Sequence, residues 1–395
     1  MCQDTYYTNT GIGDLTNNMK IKEQPIRVLE VLGRMDRGGA ETMIMNIYRK
    51  MDRTKVQLDF MVHTEDHCQF DDEIIAMGGR IYRVPRFNII NYFKYKREWK
   101  LFFKEHPEIR VIHGHMGATA AIYLQEANKA GRFSIAHSHS VDKILTVKDF
   151  IYKIMSYPTR HTAKQMFGCS AEAGIARYGK KAVSSSRYQN FPNAIDLIKF
   201  KYDVDVRLDI RKILNIAPAQ SLVIHVGRIT MAKNPDMILK VFKEIIKQDE
   251  NAICLWVGTG ELEDKYRQMI QHAGLQDRIQ MTGVRPDISQ LLQAADVFLF
   301  PSLWEGLPVS VIEAQATGLP CVISDTISKE VEVSPLVEWH SLTESPEHWA
   351  RRCLDLAKEN MGKRNSPLDS IRAAGYDINE SVKRLSILYE NYNKY

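Results

Sequence analysis

The chain has 395 residues, of which 44% are hydrophobic and 26% charged, with a formal net charge of +5. That length exceeds the usual span of one domain, and the apolar content suffices for two cores. No repeat or low-complexity tract stands out, no apolar run reaches the ~18 to 20 residues of a membrane span, and the N-terminus lacks an apolar signal core.

Residues 1–24 are polar and aperiodic and read as a disordered extension. Met19 opens the run "MKIKEQPIRVLEVL", which leaves the status of the first 18 residues open. The strand "IRVLEVL" leads into "GRMDRGGAE" and a helix from Ala40. This Gly-rich loop is neither G-x-G-x-x-G nor a Walker A sequence, which disfavours dinucleotide or ATP binding. The strands "VQLDFMVH" and "RIYRVP" follow. A helix is then predicted from Tyr92 to Glu105, with Tyr92, Tyr95, Trp99, Phe102 and Phe103 on one face. Lys94, Lys96, Arg97, Lys100 and Lys104 occupy the rest of it. "VIHGH", "SIAHSHS" and "QMFGCS" complete the strands of the first half.

The second half begins near Arg207 and contains "SLVIHVG", "AICLWVG", "RIQMTG", "DVFLFPS" and "PCVIS". Short apolar strands alternating with longer helical patterns imply parallel sheets in both halves. The six cysteines (Cys2, Cys68, Cys169, Cys254, Cys321, Cys353) are scattered without a Cys-x-x-Cys, so reduced cytosolic thiols are expected rather than disulfides. His113 and His115, and His137 and His139, alternate on strands and share a face. Both pairs end apolar runs with no carboxylate or cysteine nearby in sequence, so no metal is expected there.

Charge is unevenly spread. Residues 1–200 hold 30 Lys plus Arg against 21 Asp plus Glu, a net of +9, and residues 201–395 hold 23 against 27, a net of −4. The first half is thus expected to meet something anionic. No nucleic-acid-binding motif accompanies the charge. Lys94, Arg97 and Lys100 are candidates for contact with an anionic membrane surface, the alternative being an ordinary amphipathic helix with a solvated basic side.

The densest functional signal lies in two strand-to-helix turns. "LVIHVGRI" reads as a buried strand ending at Arg228, with Lys233 five positions on and Pro235 opening a helix. "DVFLFPS" is followed by "LWEGLPVSVIEAQATG", with Pro308 at a helix start and Gly318 just past its end. Glu305 falls in the loop at the carboxyl edge of a strand, where open α/β sheets bind ligands. Glu313 falls about 7.5 Å along the helix axis from its start. The amides of Gly306 and Leu307 direct partial positive charge at an anion between the two carboxylates. Two cations at one strand end and two carboxylates at another suit a ligand with both phosphates and hydroxyls.

"GRITMAKNP", "VGTGELED", "TGVRPD" and "SLWEGLPVSVIEAQATGLPCVIS" together resemble the retaining glycosyltransferases of family GT4. "GRMDRGGAE" and "NFPNAIDLIKF" also match, although the family usually has Asn-Gly where this chain has Asn193-Ala194. The resemblance covers the chain from about Arg27 onward. It implies the GT-B architecture, two Rossmann-like domains whose parallel sheets face across a cleft. The expected divisions are an acceptor-side domain over 25–200, a nucleotide-sugar domain over 201–375, and a helix over 376–395 that crosses back.

The resemblance also implies roles for individual residues. Arg228 and Lys233, both expected in a solvated cleft, would hold the diphosphate of a nucleotide sugar, Glu313 the ribose, and Glu305 the transferred sugar. The Gly38–Gly39 turn would approach the phosphates, and the amides around Val284 and Arg285 would border the base. His115 matches the family's active-site histidine near the reacting sugar, and His137 is the second choice, on the acceptor side. The expected partners are a nucleotide-sugar donor, with UDP the favoured base, and a glycan or polyprenyl-linked acceptor. Neither a metal nor a cofactor is expected, because fixed cations and amides can stabilise the leaving diphosphate. No residue is an obvious covalent nucleophile, so front-face displacement with the leaving phosphate as base is consistent with the family. A nucleotide-sugar epimerase of similar fold, or a non-catalytic binder of nucleotide sugars or membranes, are the alternatives.

Overall fold

The computed structural model describes residues 24–36, 38–139 and 147–392. The polar extension, apart from its final residue, lies outside the described residues, as do Cys2 and Arg37.

Two parallel sheets form the framework. The first contains β1 (Ile26–Val31), β2 (Val56–Val62), β3 (Ile81–Arg83), β4 (Ile109–Gly114), β5 (Phe133–Ser138), β6 (Gln165–Gly168) and β7 (Tyr188–Asn190). Their order is β3-β2-β1-β4-β5-β6-β7. The second contains β8 (Leu222–Val226), β9 (Ile253–Val257), β10 (Ile279–Gly283), β11 (Val297–Phe300), β12 (Cys321–Ser324) and β13 (Val337–His340), ordered β10-β9-β8-β11-β12-β13. Each is doubly wound: the order reverses at β1/β4 in the first sheet and at β8/β11 in the second. Such switch points open crevices beyond the carboxyl ends of the strands.

The central strands are buried on both faces, and their sequences are accordingly near-continuous apolar runs. Leu222, Val223, Ile224, Cys254, Leu255, Phe298 and Leu299 are all fully buried. Helices cover both faces, and the long helix Pro235–Gln248 lays Ile238, Val241, Phe242 and Ile245 against the second sheet. At the end of the helix Val309–Ala316, Gly318 takes φ 69°. A Cβ there would also meet the Asn365 carbonyl at 2.4 Å, so this stop requires glycine.

Contacts among the described residues join the halves, including backbone bonds of Ile195 with Tyr376 and Ile378. The carboxylate of Glu330, beyond β12, accepts the Ala171 amide beyond β6 at 3.1 and 3.2 Å. Both loops follow the carboxyl ends of strands, so these edges of the two sheets face one another. The helix Ile378–Tyr392 returns to the first sheet, burying Ile378, Val382, Leu385 and Tyr389 in its core. The five described cysteines are all buried and unpaired.

Candidate functional site

After β8 the chain passes through Gly227 and the exposed Arg228 into a tight turn, Met231–Lys233. Asn234 closes this turn in the left-handed region, φ 55°, and Pro235 starts the next helix. Beyond β11, the Leu303 amide donates to the Ala232 carbonyl at 2.8 Å. Ser302 is tied down in turn, its carbonyl accepting from the hydroxyls of Ser324 and Thr326 at 2.6 and 2.8 Å. These backbone links bring the two switch-point loops together.

The result is a direct pairing of Lys233 and Glu305. Lys233 Nζ lies 2.6 Å from Glu305 Oε1, with the side chains only 16% and 14% exposed. The ammonium also sits 4.6 Å from the centre of the Phe300 ring. Burial pulls the Lys233 pKa below the usual lysine range, and the Glu305 carboxylate opposes that shift. The expectation of a solvated cleft is therefore corrected at Lys233, which is largely enclosed; only Arg228 is exposed. A desolvated ion pair gives little net stability. It does hold a cation and an anion preorganised at a strand edge.

Glu313 stands within the helix Val309–Ala316. Burial pushes its carboxyl up to about 7, with Lys199 of the junction helix Leu197–Phe200 pulling the other way. A carboxylate perturbed in this way beside a crevice is a candidate functional group. Leu307 is buried and Gly306 half-buried in the loop between the two glutamates. Gly258, just past β9, takes φ 131°, and a Cβ there would strike the Gly227 carbonyl at 2.1 Å. Close apposition of these strand ends holds the Arg228 loop in place. Val284, beyond β10, is exposed, and Arg285 pairs with Asp287 at 2.6 Å. In the first domain, Gly38 and Gly39 start the helix Gly39–Lys50 with no left-handed backbone at either. A Cβ on Gly39 would meet nothing within 4 Å, leaving open space before that helix.

The histidines group together in the first domain. His115 Nδ1 lies 2.7 Å from His139 Nε2, and His115 Nε2 lies 2.6 Å from Glu30 Oε2. The Tyr389 hydroxyl donates to Glu30 Oε1 at 3.1 Å and lies 2.8 Å from His113 Nδ1. The ring of His137 stacks on those of His113 and His139. The statement that no carboxylate stands near these histidines is thus corrected: Glu30, distant in sequence, comes from β1. Burial pushes the Glu30 carboxyl up to about 8 and holds His113 down at about 3, His139 at about 4, and His115 and His137 well below the usual range. Sequence reading passed over Glu30 and Tyr389. The available signal for Glu30 was a single carboxylate inside the apolar run "IRVLEVL".

The helix Tyr92–Glu105 buries Tyr95, Trp99, Phe102 and Phe103 and exposes Lys94, Arg97 and Lys100. Just before and within it, Ile90 and Phe93 are 96% and 84% exposed. A cavity of about 700 Å³ beside this helix is lined by Phe93, Lys96, Arg97, Lys100, Lys129 and Arg132 among others. Among the described residues, no helix is long and apolar enough to cross a membrane.

Comparison with known proteins shows the family and the fold. Residues 206–370 match the family described as glycosyl transferases group 1. The chain is 31% identical over 376 residues to the putative glycosyltransferase EpsF of Bacillus subtilis, covering 92% of this chain and 96% of that one. It is 30% identical over 235 residues to the UDP-Gal:alpha-D-GlcNAc-diphosphoundecaprenol alpha-1,3-galactosyltransferase of Escherichia coli, covering 58% and 60% of the two chains. Anabaena HepE in complex with UDP shares the fold, with a TM-score of 0.73 at 16% identity over 93% of this chain and all of that one.

Proposed function

As this chain belongs to the group 1 glycosyltransferases, the GT4 type with the GT-B fold, we propose that it transfers a sugar from a UDP-sugar to a lipid-linked glycan hydroxyl with retention of configuration. The observation that carries this reading is the enclosed Lys233–Glu305 pair, with the exposed Arg228 on the first of its two switch-point loops and Glu313 in the helix that follows the second.

In this reading the donor diphosphate takes Lys233 away from Glu305 and gains Arg228 as a second cation. Glu305 is then released to accept hydroxyls of the sugar, and Glu313 those of the ribose. As the bond from the sugar to the diphosphate breaks, negative charge grows on the leaving oxygen. Cations fixed in a low-dielectric pocket stabilise that charge more than the ground state. The leaving phosphate takes the acceptor's proton, and neither a metal nor a cofactor has a required role. The resident ion pair is a reason to prefer transfer over simple nucleotide storage, since a buried cation held ready suits a developing charge.

Two names support the substrate classes. The Escherichia coli relative is named for a UDP-Gal donor and a diphosphoundecaprenol acceptor, and the Anabaena neighbour binds UDP. EpsF and the Staphylococcus aureus capsular polysaccharide glycosyltransferase CapH align across nearly the whole chain, which favours assembly of a surface polysaccharide. The exposed Lys94, Arg97 and Lys100, with Ile90 and Phe93 beside them, favour docking of the first domain on the anionic inner face of the cell membrane. A nucleotide-sugar epimerase remains the second reading, and product analysis separates it. Mass spectrometry after incubation with a panel of nucleotide sugars and lipid-linked acceptors should find an acceptor heavier by one sugar. Recovery of an isomerised nucleotide sugar instead would overturn transfer.

A further inference from the structure

Four strands and helices contribute to one hydrogen-bonded chain in the first domain. It starts at Tyr389 on the returning helix, passes through Glu30 on β1 and His115 just past β4, and reaches His139 just past β5. Asn193, at the junction between domains, neighbours His139. Both ring nitrogens of His115 are thereby engaged. We propose that Glu30 and Tyr389 are positioning residues that fix the ring orientation and tautomer of His115, and through it those of His139. The proposal rests on the reading above, in which His115 lies near the reacting sugar.

The logic is that of donors and acceptors. With Glu30 ionised, its carboxylate accepts from the Tyr389 hydroxyl and from His115 Nε2–H. His115 Nδ1 then accepts from His139 Nε2–H, and His139 Nδ1 is a bare lone pair. With Glu30 protonated, its O–H donates to His115 Nε2. His115 Nδ1–H then donates to His139 Nε2, and His139 carries its proton on Nδ1. Passing between the two states, one proton enters at His139 Nδ1, one moves from His139 Nε2 to His115 Nδ1, and one moves from His115 Nε2 to Glu30. Both imidazoles stay neutral throughout. The end of the chain changes from acceptor to donor.

Surrounding contacts support this chain. His139 Nδ1 and Asn193 Oδ1 are both buried with no hydrogen bond of good geometry, and they become a matched pair when His139 carries its proton on Nδ1. The groups facing Glu30 are Tyr389 from the returning helix and His113 and His115 at the end of β4; His137 and His139 lie beyond them against His115, and Arg177 is the charged group near His139. None of the four histidines is readily charged, because burial holds each below the usual range. Glu30, pushed up to about 8, is the member that titrates near neutrality.

The test uses turnover of UDP-glucose and UDP-galactose as probes, together with ¹⁵N NMR of the histidine rings. In the wild-type protein, kcat and the His115 tautomer should both change through a pH near 8. Glu30→Gln keeps the shape of the side chain without the titration, so turnover should stay within about threefold at pH 6.5 while both inflections vanish. Glu30→Ala should lose up to about 10²-fold in kcat, as a misplaced group near the chemistry does. Tyr389→Phe removes a donor to the ionised form, so the inflection should move to higher pH. An unchanged inflection in Glu30→Gln, or wild-type kcat in His115→Ala, overturns the positioning role. If Lys233→Ala is inactive while His115→Ala is not, the chain fails and the transferase reading stands. If neither probe is turned over, the NMR tautomers alone decide the chain, and the panel of nucleotide sugars decides the transferase reading. Stoichiometric bound zinc in the purified protein would also overturn it, by replacing these hydrogen bonds with metal ligation.

Discussion

In the proposed function Lys233 and Glu305 exchange partners when the donor arrives, which would give each a separate signature. Lys233→Ala removes a fixed cation from the leaving oxygen and should cost roughly 10²- to 10³-fold in kcat, as the loss of one preorganised donor does. It also leaves Glu305, only 14% exposed, without its partner, so a fall in melting temperature is expected as well. Arg228→Ala should lower kcat with little change in melting temperature, because Arg228 is exposed. Differential scanning fluorimetry beside initial-rate kinetics distinguishes the two; equal melting shifts would count against the enclosed pair. The glutamates divide similarly. Glu313→Ala should weaken binding of free UDP in calorimetry, whereas Glu305→Ala should spare UDP and lose transfer. Equal losses of UDP affinity would contradict this division.

Burial also predicts a pH dependence at Glu313. Its folded pKa, about 7, lies above the ordinary value of 4.5, so the folded state holds this proton more tightly than the unfolded one. Its contribution to stability is complete below about 4.5 and is lost as pH rises through 7. Binding of ribose hydroxyls by the ionised carboxylate runs the other way. UDP affinity should therefore fall as pH drops from 8 to 6, and Glu313→Gln should flatten that slope.

Among the elements, those with strong local rules were legible and those defined by partners were not. The helix Tyr92–Glu105 has the bounds its periodicity implied, and Tyr95, Trp99, Phe102 and Phe103 form its buried face. Pro235 and Gly318 marked a helix start and a helix stop through backbone chemistry alone. β7 and β13 escaped notice because "YQN" and "VEWH" are short and partly exposed, without an apolar run or clean alternation. They exist because an edge of each sheet offers them hydrogen bonds. Site residues divide the same way. Glu305, Glu313, Arg228 and Lys233 were singled out from two strand-to-helix turns and from the family resemblance, whereas the Lys233–Glu305 pairing depends on a backbone bond from Leu303 to Ala232. The link from Glu30 to Tyr389 spans 359 residues, and no local pattern encodes it.

The basic helix carries its own prediction. Reversing Lys94, Arg97 and Lys100 to Glu should reduce sedimentation with anionic vesicles without unfolding, because all three are exposed and the apolar face is buried elsewhere. Wild-type binding should exceed that to neutral vesicles and weaken with salt, since exposed charges are screened within about 10 Å at 0.1 M. Transfer to a short water-dispersed acceptor should survive the reversal. Binding indifferent to lipid charge would leave this helix with a packing role alone.

At the scale of the whole molecule, the two halves divide the work by charge and by chemistry. The half carrying +9 presents the basic helix and the histidine chain, and the half carrying −4 presents the paired cation and carboxylates. Glu330 on Ala171 and Tyr389 on Glu30 are among the bonds that tie the halves, and the histidine chain takes Tyr389 from the second half. The central claim is that the switch-point cluster around Lys233 and Glu305 carries out sugar transfer with retention. The most direct measurement is NMR of the isolated product formed from a UDP-sugar and a lipid-linked acceptor, run in parallel with Lys233→Ala. The wild-type protein should give a glycosidic linkage with the anomeric configuration of the donor, and the variant a yield lower by roughly 10²-fold or more. An inverted linkage, or equal yields from the two proteins, would contradict that claim.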